Sequence, residues 1–207
     1  MKILTYGDSI TDAGREASWT QIGVGYPAYI AGELLAENPE KYEVVNRGIS
    51  GNRIVDLYAR IKRDVWNHNP DVLSILIGIN DIWHGLGDDP NDVELERFVK
   101  VYRMLIEDTL KVLPNVKIML CEPFVLHGNA TDPHFEKFSE IKEYAKEIKK
   151  MADEYGLAYV PLQAKLDEMA AKFSPQAFAG DGVHPTVAGA KVIADEWLKV
   201  FRKEIDK

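Results

Sequence analysis

A chain of 207 residues is the right size for one hydrophobic core, and with 46 % apolar and 28 % charged residues it reads as a single globular domain spanning 1–207. Its formal charge of −8 disfavours nucleic acid and anionic membrane surfaces as partners, and no apolar run approaches the roughly 18 residues of a membrane span. The one cysteine, Cys121, excludes an intramolecular disulfide and fits a reducing cytoplasm.

The run Met1 to Tyr6 is apolar and β-prone, with no basic segment of a secretory leader before it. It ends in Gly7-Asp8-Ser9-Ile10-Thr11, and a polar stretch to Gly25 then reads as a loop over the end of the strand. A helix is expected over 26–37, with Pro27 in its first turn. A short strand over 42–46 leads into the glycine-rich Arg47-Gly48-Ile49-Ser50-Gly51-Asn52.

Ile54, Leu57, Tyr58, Ile61 and Val65 have helical spacing within 53–67, and Asn69-Pro70 breaks that helix. Residues 71–77 form a nearly continuous apolar strand, as at the centre of a parallel sheet, and open into Gly78-Ile79-Asn80-Asp81. Helices over 92–112 and 134–155, strands over 116–121 and 157–160, and helices over 163–172 and 187–205 complete the chain. Gly156 is expected to cap the helix before it. This alternation predicts an α/β fold: a three-layer α/β/α sandwich on a five-stranded parallel sheet in the flavodoxin-like order 2-1-3-4-5.

On that topology three loops leave neighbouring strands at one sheet edge, at Ser9, at 48–52 and at 78–81. A fourth, Asp181-Gly182-Val183-His184, precedes the last helix. Taken singly, each has an ordinary explanation. Ser9 or Asp181 can be an N-cap, Asn80 and Asp81 can be turn residues, and Gly51 can be a hinge. Together they supply the parts of acyl transfer by serine: a nucleophile, a base, a group to hold the base, and donors for an oxyanion.

These blocks resemble the SGNH subgroup of the GDSL esterases and lipases, in order and spacing, from residue 7 to Pro185. The resemblance implies Ser9 as nucleophile, His184 as general base and acid, and Asp181 as the group orienting His184. It implies oxyanion donors from the backbone N–H of Ser9 and Gly51 and the side-chain amide of Asn80, with Gly48 shaping the loop. The surrounding segments, including Asp12-Ala13-Gly14-Arg15, Gly23-Val24-Gly25-Tyr26 and Ile82-Trp83, look like those of the intracellular acetyl-xylooligosaccharide esterases. That similarity implies removal of acetyl groups from short xylan fragments, with Asp8, Tyr26, Asn52, Ile79 and Trp83 lining the substrate site.

Several similar esterases carry a bulky aromatic before the catalytic aspartate, where this chain has Gly180. Among the aromatics Trp19, Tyr26, Trp83 and Phe124 at the rim, stacking on sugar is one use and core packing the other, with the two equally open for Tyr26 and Phe124. Cys121 reads as a small buried hydrophobe. Glu122 and Asp81 raise a glycosidase pair whose separation the sequence does not fix. His68, His84, His127 and His134 lack metal-ligand spacing, so no metal or other cofactor is expected. The expected partners are a small acetylated carbohydrate and, from the resemblance, further copies of the chain. The alternatives are a broader short-chain esterase, lysophospholipase or thioesterase on the same triad, a flavodoxin-like cofactor binder, and a carbohydrate-binding module without turnover.

Overall fold

The computed structural model describes residues 1–206. Its sheet has five parallel strands: β1 (Lys2–Gly7), β2 (Glu43–Asn46), β3 (Val72–Leu76), β4 (Lys117–Cys121) and β5 (Ala158–Val160), ordered 2-1-3-4-5 as expected. Register places Thr5 beside Asn46 and Gly7 beside Leu76. The C-terminal ends of β1, β2 and β3 are therefore level, and the loops that follow them emerge side by side.

Nine helices follow among the described residues: α1 (Ser9–Asp12), α2 (Tyr26–Glu37), α3 (Ile54–Asp64), α4 (Ile79–Trp83), α5 (Leu95–Val112), α6 (Phe135–Phe138), α7 (Ile141–Tyr155), α8 (Gln163–Lys172) and α9 (Val187–Val200). One helical layer packs α2 and α8 against α9, and the other packs α3 and α7 against α5. Every residue of β3 is buried, which explains its unbroken apolar run. Its one polar side chain, Ser74, accepts from Trp197 Nε1 at 2.8 Å and so pins α9 to the sheet. Gly156 caps α7 in the left-handed conformation, as expected. No helix among the described residues is long and apolar enough to cross a membrane.

Two boundaries differ from expectation for identifiable reasons. The helix expected from residue 92 begins at Leu95, because Asn91 and Val93 donate their N–H groups to His84 and Asp81 and bind the segment to the loop after β3. The single helix expected over 134–155 is two, broken at Ser139, whose hydroxyl donates to the Glu136 carbonyl at 2.6 Å. The break lets Phe138 pack edge-on to Trp83, with ring centres 5.5 Å apart. The polar stretch after the first strand is likewise not all loop, since Ser9 opens α1 directly.

Candidate active site

Ser9 stands where β1 turns into α1. Asp8 caps that short helix by accepting the Ile10 N–H at 2.9 Å. Ser9 Oγ lies 2.8 Å from His184 Nε2, and His184 Nδ1 lies 2.6 Å from Asp181 Oδ2. The other oxygen of Asp181 accepts the backbone N–H groups of Val183 at 2.9 Å and His184 at 2.7 Å. One carboxylate thus folds its own turn and aims the imidazole. Burial alone would raise its pKa, but the His184 ring and these backbone donors outweigh burial and hold Asp181 below the usual carboxylate range. The turn is gripped from behind by the segment after β4: Leu126 N–H donates to the Gly182 carbonyl at 2.8 Å and Ala130 N–H to the Asp181 carbonyl at 3.1 Å.

The expected oxyanion donors stand on the segments that follow β1, β2 and β3. The Asn80 amide donates to the Asn52 carbonyl at 3.1 Å, a bond that fixes the side chain while using only one of its two N–H groups. Gly51, with φ of 80°, is in the left-handed region where a side chain is strained, and the space above it is open. At Gly48 the constraint is proximity instead, since a Cβ there would sit 2.2 Å from the Asp12 nitrogen. The loop is tied to α1 by Ser50, whose hydroxyl donates to Asp12 Oδ2 at 2.7 Å, and by Asn46, whose amide donates to the Thr11 carbonyl at 2.6 Å. Asn46 and Asp12 stand in the family-like segments, yet nothing in their spacing marks them as the staples between two loops.

The expected substrate-lining set is only partly presented. Asp8, Tyr26 and Ile79 are each 1 % exposed, which corrects the expectation that their side chains face a ligand. Tyr26 sits beneath the site with its hydroxyl 3.1 Å from Thr11 Oγ1, Ile79 packs in the core, and Phe124 is buried as well. Asn52 and Trp83 remain partly exposed, and the Trp83 ring lies 5.9 Å from the His184 ring. Trp19 stands almost fully in solvent. The site itself is open, with the His184 side chain 46 % exposed.

Other chemistry suggested by residue type is spoken for. Glu122 accepts the N–H groups of Leu162 and Gln163 at the start of α8, and Asp81 accepts that of Ile54 at the start of α3, so each carboxylate is engaged in holding a helix start. Burial pushes the Cys121 thiol up to about 12, far from a nucleophile's range. His127 Nδ1 donates to Asp132 Oδ1 at 2.7 Å, and its ring stacks on Phe135.

Asp8 is unusual. Its Oδ2 has no hydrogen-bond partner among the described residues, and burial pushes its pKa up to about 7 against the opposing pull of the Ile10 N–H and of His184. A carboxyl with a raised folded pKa stabilises the fold below its unfolded pKa, and that contribution is lost as pH rises through 7. The neutral isostere Asp8→Asn removes this dependence. Its Tm should therefore gain on that of the parent between about pH 4 and pH 8. A constant difference across that range, measured by thermal unfolding, would contradict the assignment.

A model of the GDSL-like Lipase/Acylhydrolase family matches residues 5–192. An acetylxylan esterase of Geobacillus stearothermophilus is 40 % identical, covering 96 % of this chain and 92 % of its own. A GDSL esterase/lipase of Arabidopsis thaliana is 26 % identical over 98 % of this chain and 86 % of its own. Among solved structures, the Geobacillus acetylxylan esterase Axe2 superposes with a TM-score of 0.84 at 38 % identity, covering 96 % of this chain and 93 % of that one. An α/β hydrolase from the metagenome of Lake Arreo reaches a TM-score of 0.86 at 31 % identity, covering 96 % and 94 %. Two further Axe2 structures are of catalytic mutants, one with a serine and one with an aspartate replaced by alanine.

Proposed function

Because the chain belongs to the GDSL-like lipase/acylhydrolase family, we propose that it is a serine esterase that removes acetyl groups from short xylan fragments, with Ser9 as nucleophile. The observation that supports this most is the continuous hydrogen-bond chain Ser9–His184–Asp181. His184 takes the hydroxyl proton through Nε2 while Asp181 fixes Nδ1–H and balances the imidazolium. The alkoxide attacks the acetyl carbonyl, and the backbone N–H groups of Ser9 and Gly51 with the Asn80 amide bind the oxyanion. His184 returns the proton to the departing sugar hydroxyl, then activates the water that releases acetate from Ser9.

The substrate class follows from the likeness to acetylxylan esterases together with the openness of the site. A half-exposed imidazole beside Trp83 leaves room for a sugar leaving group, and the chain works on it in the cytoplasm, where Cys121 stays a buried thiol. Neighbouring Gly180 is open to solvent on the side where a Cβ would point, so no side chain at that position narrows the approach.

Acetate release from acetylated xylooligosaccharides, set beside hydrolysis of 4-nitrophenyl esters from acetate to octanoate, tests the reading. Acetate esters should be preferred to octanoate by roughly tenfold or more in kcat/KM. A preference for octanoate would overturn the deacetylase reading in favour of a lipase.

A further inference from the structure

We propose that Arg60 is a positioning residue for the oxyanion site, one guanidinium holding the segments that present all three donors. It projects from α3, remote from Ser9 in sequence, and its side chain is only 10 % exposed. Nε donates to Asn52 Oδ1 at 2.7 Å, Nη1 to the Arg47 carbonyl at 2.9 Å, and Nη2 to the Gly7 carbonyl at 3.1 Å. The Gly7 carbonyl lies at the end of β1, one residue before the Asp8–Ser9 turn. Arg47 and Asn52 bracket the loop that carries Gly51. The third donor is reached at one remove, since the Asn80 amide leans on the carbonyl of that same Asn52.

The guanidinium is itself immobilised. Nη1 also meets Asp64 Oδ2 at 2.7 Å, and the guanidinium carbon lies 4.4 Å from the centre of the Tyr6 ring. Asp64 is fully buried and takes Arg47 and Arg63 as well, so it stays ionised and the cluster does not loosen near neutral pH. A planar fork with donors in fixed directions can join three acceptors at once, whereas a lysine ammonium on a flexible stem cannot. The role needs no contact between Arg60 and substrate. The guanidinium acts by keeping Asn52, and through it Asn80 and Gly51, where the developing charge will be.

The inference rests on the reading of Asn80 as an oxyanion donor, and a double-mutant cycle on 4-nitrophenyl acetate hydrolysis separates the two. Arg60→Lys should lower kcat by about 10- to 100-fold with KM changed by less than about threefold, because a donor displaced by a fraction of an ångström weakens the transition state and not the ground state. In the Asn80→Ala background the same substitution should cost at least about threefold less than in the parent, since one of the three donors it positions is gone. Losses that multiply in full, or a loss confined to KM, overturn the role of Arg60. An Asn80→Ala variant with undiminished kcat overturns the oxyanion reading instead. Arg63→Gln opens the same Asp64 cluster from its exposed side and should keep kcat, which distinguishes positioning from general weakening of the cluster. If Arg60→Lys does not fold, Asn52→Ala removes the Nε acceptor from the loop side, and the same cycle with the same expected losses decides the matter.

Discussion

Ser9→Ala should lose ester hydrolysis by a factor of roughly 10³ to 10⁶ while folding as the parent does. The hydroxyl is the only group removed, and among the described residues it bonds to His184 alone. Without it no acyl-enzyme forms. What remains is water activated by an imidazole and an oxyanion site that still binds the carbonyl. The helix that starts at this position has its cap from Asp8, not from Ser9, so stability should move by no more than about 0.5 kcal/mol. Rapid mixing with 4-nitrophenyl acetate should also show no burst of nitrophenol. Turnover that survives the substitution, in protein with an unchanged Tm, would remove Ser9 from the mechanism and assign the hydrolysis to another group.

Asp181→Asn should cost about 10³- to 10⁴-fold in kcat with little change in KM. The amide oxygen can take over the two backbone bonds that Asp181 Oδ1 makes, so the turn keeps its shape. The amide nitrogen then faces Nδ1 of His184 as a donor. That reverses the imidazole tautomer and places a hydrogen on Nε2, where the serine proton must go. The imidazolium formed in the reaction also loses its counter-charge. A loss below about tenfold would mean that the carboxylate only builds the turn. The native carboxylate has a lowered pKa, so its contribution to stability is present above the ordinary range near 4 and lost only as pH falls below it. Tm of the parent relative to the variant should accordingly be flat at neutral pH and fall in acid.

The strand order and the four site loops were legible because each is written in local sequence: an apolar run for β3, a turn block at its end, Gly156 to close α7. Side-chain direction was not. Tyr26 and Phe124 lie in segments beside the site, and composition gives an aromatic the same value inside or out. Only the packing of α2 and of the segment after β4 turns both inward. Asp8 reads as a polar neighbour of the nucleophile, yet its side chain is used to cap α1 and is sealed beneath it. Arg60 was silent for the opposite reason. An arginine on an amphipathic helix ordinarily belongs to the solvated face, and its acceptors at Gly7, Arg47 and Asn52 are assembled by β-strand register rather than by spacing along the chain. Helix boundaries failed where a distant contact interrupts the period, as Phe138 does on reaching Trp83.

Ser9 and His184 are separated by 175 positions, so the proposed nucleophile leaves the ribosome long before the proposed base exists. A nascent chain halted anywhere before the last loop carries an inert hydroxyl and has no means of acylating itself. Onset of acetate release in a coupled translation mixture therefore reports the moment at which the segment carrying Asp181 and His184 docks beside Ser9.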